Sequence, residues 1–276
     1  MKILITGRNG QVARCLAHVN QTHELLFLAR PQIDLRQLET VREPILRAQP
    51  DIIISCAALT SVDACEAAMA AAFTVNAEAP GVLAAVAAEL DIPIIHLSTD
   101  YVFGGRQDHP YREADSPDPI NVYGRSKVAG EQAVALWRRH AIVRTTWVYS
   151  SFGGFVKMAM GQAAQSGEAR VVSDQVACPT SGLDLARALL TMAGRLMSDA
   201  QAPLGVFHGA GATVARRGDV IRAALPGARI IEVASVDFFN GAPRPLYSAL
   251  DSSKLEDMYG VGLRGWPEAL SEAVQS

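Results

Sequence analysis

Tyr123-Gly124-Arg125-Ser126-Lys127 places a phenol and an ammonium four positions apart, and Thr99, within Ser98-Thr99-Asp100-Tyr101, precedes that tyrosine by 24 residues. On a helix, residues i and i+4 share a face, with Cβ atoms about 5–6 Å apart. A phenol is a poor acid near neutrality, with an unperturbed pKa of about 10. An ammonium beside it stabilises the phenolate and draws that value down. The spacing therefore predicts that Tyr123 is a proton donor or acceptor usable near neutral pH, tuned by Lys127. The hydroxyl of Thr99 can hydrogen-bond the same reacting oxygen. Such a trio suits carbonyl reduction or alcohol oxidation. Tyr-x-x-x-Lys by itself equally describes an ordinary helix with a buried tyrosine and a surface lysine, so the elements around it must decide.

The first of these elements lies at the N-terminus. Met1–Thr6 reads as a short buried strand, and Gly7-Arg8-Asn9-Gly10-Gln11-Val12-Ala13 follows at once, with Val12, Leu16 and Val19 at helical spacing. Strand, glycine turn and helix form the context that a dinucleotide-binding fingerprint requires. Gly7 permits the tight turn. Gly10 lets the backbone approach a pyrophosphate at the positive end of the helix. Ala13 stands where a third small residue allows close packing of helix on strand. The spacing is G-x-x-G-x-x-A rather than G-x-G-x-x-G.

Further along, apolar runs alternate with helical segments. Leu25–Leu28, Asp51–Cys56, Pro93–Leu97 and Ala141–Thr145 read as strands; Val82, Val86 and Leu90 mark the buried face of one helix, and the helix bearing Tyr123 continues to about Trp137. This alternation predicts an α/β fold: a Rossmann-type, doubly wound parallel sheet covered on both faces. Ligands on such sheets bind beyond the carboxyl ends of the strands. Thr6-Gly7, Cys56-Ala57-Ala58, Leu97-Ser98-Thr99 and Thr145-Thr146-Trp147 all fall at such ends. After residue 148 the rhythm loosens. Tyr149–Gly154 is a loop, Arg170–Val172 and Gly205–His208 are short strands, and Ser181 with Asp184 resembles a capping box opening a helix to about Met197. The expected division is a cofactor domain over 1–148, with the helix near 181–197 packed on it, and an interleaved, smaller substrate lobe over 149–276.

Composition sets outer limits. The 276 residues are 49% apolar with a net charge of −3, enough for one large domain or a domain with a lobe. No basic block points to nucleic acid or an anionic membrane surface. No apolar run is expected to approach a membrane span, and the chain enters a strand directly, without a signal peptide. Cys15, Cys56, Cys65 and Cys178 show no metal-ligand spacing. Cys15 and Cys56 read as packed small hydrophobes, which points to a reducing, cytoplasmic compartment.

Taken in order, these motifs make the chain resemble the extended short-chain dehydrogenase/reductases, and within them the dTDP-4-dehydrorhamnose reductase family. The likeness rests on Gly7-x-x-Gly10-Gln11-Val12, Ala57-Ala58-x-Thr60-x-Val62-Asp63-x-x-Glu66, Ser98–Phe103 and Asn121-Val122-Tyr123-Gly124-x-Ser126-Lys127. It continues through Arg144-Thr145-x-Trp147-Val148-Tyr149, Asp174-Gln175-x-x-x-Pro179-Thr180 and Arg244-Pro245, and so covers nearly the whole chain. The resemblance implies hydride transfer from a nicotinamide cofactor to the C4 ketone of a dTDP-linked 6-deoxy-hexulose, within surface-polysaccharide biosynthesis. It implies Tyr123 as general acid, Lys127 as its tuner and a ligand of the nicotinamide ribose, and Thr99 as the group orienting the carbonyl. Asp100, Trp147 and Arg244 would meet the sugar nucleotide. Gly7, Gly10, Gln11 and Val12 would meet the pyrophosphate, Asp34 and Leu35 the adenine, and Ala57, Ala58 and Leu59 the adjoining part of the cofactor.

An acidic residue ending the second strand would favour NAD. Here that strand ends in Ala29-Arg30, and Arg8 lies in the glycine turn; two guanidinium groups suit a 2′-phosphate, which favours NADPH, with NADH as the alternative. The chain departs from the family pattern at Ser55-Cys56, at Gly153-Gly154 and at Ala177. Some relatives carry an acidic residue at the position of Cys15 and use it in a metal-linked dimer; cysteine cannot serve in that way, so no such metal is expected, and homodimerisation stays open. Two further readings are a reductase or epimerase acting on another nucleotide sugar, and a non-catalytic subunit resembling the regulatory subunit of methionine adenosyltransferase.

Overall fold

The structure, a computed structural model, describes residues 1–238 and 241–275. Five strands come from the first 145 residues: β1 (Lys2–Thr6), β2 (Glu24–Leu28), β3 (Ile52–Ser55), β4 (Ile94–Thr99) and β5 (His140–Thr145). They form a parallel sheet in the order β2-β1-β3-β4-β5, which the strand Gly205–His208 completes beside β5. The central strands show no polar alternation: Ile3, Leu4, Ile5, Ile52, Ile53, Ile54, Ile94 and Ile95 are all fully buried. That pattern is the signature of a sheet covered on both faces.

Helices α1 (Gln11–Val19), α2 (Arg42–Ala48), α3 (Val62–Ala67), α4 (Met69–Phe73), α5 (Ala79–Glu89), α6 (Val122–Ala135), α7 (Phe155–Ser166) and α8 (Gly182–Ser198) follow in chain order. One face of the sheet is closed by α1 and α8, whose Leu16, Leu183, Leu185 and Leu189 share a core with Ile3, Ile5 and Ile54. The other is closed by α2, α5 and α6, through Ile45, Leu83, Val86 and Val134. Because β1 pairs with β2 on one side and β3 on the other, the chain reverses its direction across the sheet there. The crevice beyond that reversal is the standard ligand position in such folds.

Several expectations shift. Ala79, Pro80, Leu83, Ala84, Val86 and Ala87 are the buried residues of α5, while Val82 and Leu90 are half-buried. This helix is apolar nearly all round because it is wedged between the sheet and two helices, so one stripe of its sequence does not define its buried face. It also continues α4 through a π-helical turn at Thr74–Glu78. The resulting run Met69–Glu89 is long and apolar enough, by length and composition, to cross a bilayer, contrary to the expectation from the sequence; here half of it is buried inside the fold. At α8, Ser181 accepts a hydrogen bond from the Asp184 amide, but the Asp184 carboxylate binds Arg187 and Arg264 instead of closing a capping box.

Apart from α8, the strand pairings beyond α7 are short. Glu168–Val172 pairs in parallel with Arg229–Val233, and Val176–Ala177 pairs antiparallel with Ala215–Arg216. A separate core of Tyr149, Val156, Val220, Ile221 and Leu270 holds this part together.

Candidate active site

A cavity of about 600 Å³ runs along the carboxyl ends of β1, β3, β4 and β5. Gly7, Gly10, Gln11, Val12, Arg30, Asp34, Leu35, Ala57, Ala58, Leu59, Thr99, Asp100, Tyr123, Lys127 and Trp147 all line it. Arg244 is not among the lining residues: its guanidinium pairs with Asp63 at 2.7 Å and donates to the Ala242 carbonyl at 2.8 Å.

One wall is main chain. Gly7 has φ of +83°, and a Cβ placed there would lie 2.9 Å from Cβ of Ala57. Only glycine meets both conditions without strain. Thr6 Oγ1 accepts from the amides of Cys56 and Ala57 at 3.1 Å each, which pins the β1 turn to the end of β3. Gly10 stands at the N-cap of α1 with no side chain capping the helix. The first amides of α1 thus open onto the cavity as a positive anion cradle. A dinucleotide pyrophosphate fits it: the amides lack side-chain partners, and a Cβ at Gly10 would crowd the Gly7 carbonyl at 3.2 Å. The Gln11 side chain is engaged elsewhere, donating to the Val148 carbonyl at 3.1 Å and accepting from Ser150 at 3.3 Å. Gly153 and Gly154, which break the family pattern, pack behind Gln11 and do not line the cavity; Gly154 has φ of +92°. At the far end Arg8, Arg30 and Arg36 all line the cavity. The Asp34 carboxylate accepts from the Arg36 amide at 3.0 Å, so it shapes a turn there.

The opposite wall is side chain. Asn121 caps α6 by accepting from the Gly124 amide at 2.8 Å, which puts Tyr123 in the first turn, at the cavity. Gly124 is required because a Cβ would collide with the Tyr101 carbonyl. The Tyr101 ring meets that of Tyr123 edge-on, with centroids 5.7 Å apart. Lys127 is only 2% exposed, so the surface-lysine reading fails. Its Nζ donates to the Leu97 carbonyl at 2.8 Å and meets His96 Nε2 at 3.1 Å. Burial pulls its pKa down to about 8, against the opposing charges of Glu131 and Cys56.

One expectation is corrected here. The Tyr123 phenol is not drawn below its ordinary value in this structure. Removal from bulk water pushes that phenol above its ordinary value, a hydrogen bond with Thr99 opposes the rise, and Asp100 and Tyr101 add to it. The physical reason is burial of the phenol, while the ammonium makes its own hydrogen bonds to β4.

Asp100 lines the cavity at the centre of a hydroxyl cluster. It accepts from Thr99 at 2.9 Å, Thr146 at 2.7 Å and Ser248 at 2.6 Å. Burial raises its pKa and the three hydroxyls work against that rise. Trp147 has φ of +41°, a strained value for a residue with a Cβ. Its ring lies under the Arg217 guanidinium, 4.4 Å from the centroid, and touches Phe155 edge-on.

Sequence reasoning missed several members. Cys56 is half-buried and lines the cavity, so it is not simply core. Ser248 and Arg217 arrive from the C-terminal lobe, with no motif spacing to announce them. Arg217 Nε and both amide atoms of the buried Gln175 have no hydrogen-bond partner. Gln175 and Arg217 flank the paired Val176 and Arg216. His96 was visible only as one polar residue in an apolar strand.

Comparison with known proteins agrees with this geometry. The family model described as the RmlD substrate binding domain matches residues 1–276. A dTDP-4-dehydrorhamnose reductase from Sinorhizobium fredii is 42% identical, over 99% of this chain and 97% of that protein. The crystal structure of a dTDP-4-dehydrorhamnose reductase from Clostridium acetobutylicum superposes with a TM-score of 0.91 at 33% identity, covering 99% of this chain and 98% of that one. A Bacillus anthracis dTDP-4-dehydrorhamnose reductase, solved in complex with NADP, gives a TM-score of 0.92 at 28% identity over the same shares. With the glycine turn, the Thr99-Tyr123-Lys127 group and the full length of the match in agreement, the chain belongs to the RmlD substrate binding domain family.

Proposed function

We propose that this chain is an NADPH-dependent reductase of the C4 ketone of dTDP-4-dehydro-L-rhamnose, forming dTDP-L-rhamnose. The observation that carries the reading is convergence: Thr99, Tyr123 and Lys127 face the same cavity as the uncapped amides of α1. The named reductase from Sinorhizobium fredii, 42% identical over its length, supplies the substrate.

In this reading the main-chain wall holds the dinucleotide pyrophosphate, and Arg8, Arg30 and Arg36 meet the 2′-phosphate. When bound, the reduced nicotinamide supplies the hydride to the ketone carbon. Thr99 turns its hydroxyl from Asp100 to the ketone oxygen and fixes it. Tyr123, whose phenol keeps its proton at neutral pH, gives that proton to the developing alkoxide and acts as general acid. Lys127, charged below about pH 8, stabilises the phenolate left behind and binds the ribose. Trp147 and Asp100 shape the sugar end, and Arg217, stacked on Trp147, meets the diphosphate of the substrate. Residues 1–148, with α8 and the strand Gly205–His208, make the cofactor half; the remainder of 149–276 makes the substrate half. The four free cysteines support a reducing, cytoplasmic setting.

The test follows loss of reduced-nicotinamide absorbance with enzymatically made dTDP-4-dehydro-L-rhamnose, run with NADPH and NADH in parallel. Oxidation matched by dTDP-rhamnose formation, faster with NADPH, is expected. Tight NADPH binding without oxidation would overturn the substrate and favour another nucleotide sugar or a regulatory role.

A further inference from the structure

Behind Lys127 lies a buried polar chain that the reduction itself does not use. His96 is fully buried in the middle of β4, as is Ser55 at the end of β3. Lys127 Nζ meets His96 Nε2 at 3.1 Å, and His96 Nδ1 meets Ser55 Oγ at 3.1 Å. An ammonium donates three hydrogens and accepts none. Nε2 must therefore present its lone pair, which places the ring proton on Nδ1 and makes Ser55 its acceptor. Burial and the nearby ammonium both hold the imidazole neutral. The Leu97 carbonyl takes a second ammonium hydrogen at 2.8 Å. One hydrogen is then left, and Lys127 borders the cavity.

We propose that His96 is a positioning residue for Lys127. As a neutral acceptor with a tautomer fixed by Ser55, it anchors Nζ against β4 so that the remaining N–H faces the cavity and the cofactor ribose. The inference rests on the cofactor reading above. It explains why a polar side chain occupies a strand whose neighbours Ile94, Ile95 and Leu97 are apolar: a leucine there would leave one ammonium hydrogen buried without a partner. The other charged or titratable groups facing Lys127 are Cys56 and Glu131. Glu131 is occupied by Arg144 in a two-bond pair at 2.9 and 2.7 Å and by Ser98 at 2.5 Å, so it cannot replace His96 as the anchor.

NADPH affinity, read from nicotinamide fluorescence between pH 6 and 10, tests this with the intact chain and His96→Leu, His96→Gln and Ser55→Ala variants. Affinity of the native protein should fall as pH passes about 8, where Lys127 loses its charge. His96→Leu should move that fall to lower pH by about one unit and so weaken binding at pH 7 about twofold and at pH 8 about fivefold, since an ammonium without its acceptor gives up its proton more readily. His96→Gln, which keeps an acceptor, should restore most of the affinity, and Ser55→Ala should shift the profile part-way. A His96→Leu profile that falls at the native pH, or no advantage of His96→Gln over His96→Leu, overturns the proposal. If His96→Leu does not fold, the Ser55→Ala profile decides: an unshifted fall overturns it. Because binding is the readout, a protein that binds NADPH yet reduces no nucleotide sugar overturns the substrate reading and leaves this test intact.

Discussion

The two walls of the cavity are built on different principles. The wall at Gly7, Gly10, Ala57 and Ala58 is main chain, and its contacts come from small residues that let backbone approach backbone. The wall at Thr99, Asp100, Tyr123 and Trp147 is side chain, and residues distant in sequence lock its parts: Ser248 and Thr146 hold Asp100, and Arg217 lies on Trp147. The main-chain wall is local, made from turns that directly follow strands. The side-chain wall also takes two of its supports, Ser248 and Arg217, from the C-terminal lobe. A cofactor common to many reactions can rely on the first; discrimination of one substrate and delivery of one proton need the second.

The largest effect should come from the side-chain wall. Tyr123→Phe keeps the ring but removes the proton donor, so turnover should fall roughly 10²–10⁴-fold. NADPH affinity, measured on the same preparation, should stay within twofold of the native value, which is about 0.4 kcal/mol. Near-native turnover would leave this wall without its central role.

Gly7→Ala attacks the other wall. At φ of +83° a residue with a Cβ costs about 1–3 kcal/mol, and this Cβ also presses on Ala57. Calorimetry should show a lower Tm, and titration a loss of NADPH affinity of at least about tenfold, equivalent to roughly 1.4 kcal/mol. Native-like binding by this variant would mean that the glycine turn is not the pyrophosphate cradle.

Ser248→Ala sharpens the contrast more gently. It withdraws one hydroxyl from a buried carboxylate, a loss of about 1–2 kcal/mol in stability. It should also push the Asp100 pKa further up, because that hydroxyl holds it down. With Asp100 and Thr99 loosened, kcat/KM should fall while NADPH affinity holds. An equal loss of both would show that the two walls are not separable.

The smallest effect belongs to Arg30→Ala. Its exposed guanidinium is screened by solvent, so NADPH should weaken by about 1 kcal/mol, with NADH hardly changed. Parallel binding curves for the two cofactors check this; an equal change in both would remove Arg30 from the 2′-phosphate site.

Much of this was legible in the sequence, for identifiable reasons. Ile3–Ile5, Ile52–Ile54 and Ala141–Val143 announced buried parallel strands because both faces of such a sheet are apolar, so no alternation dilutes the signal. The glycine turn was legible because its function lies in the backbone, which a few small residues specify locally. Tyr123 and Lys127 were legible because a helix fixes the geometry of i and i+4. What the helix could not reveal was where the ammonium points. That depended on His96 and Leu97 of the neighbouring strand, and burial of the phenol, equally invisible along the helix, made the expected lowering of the Tyr123 pKa a rise.

The sequence by itself determined the parallel sheet, the glycine turn that follows β1 and the shared helix face of Tyr123 and Lys127, since each rests on periodicity or on contacts within a few residues. Tertiary structure alone decided that Gly205–His208 completes the sheet from beyond the expected boundary, that Arg244 is taken up by Asp63, and that Ser248, Arg217 and His96 complete the site. These are long-range contacts, one of strand with strand and the rest of buried or partly buried polar side chains with their partners. Their partners are chosen by the docking of whole elements, and no spacing along the chain records that choice.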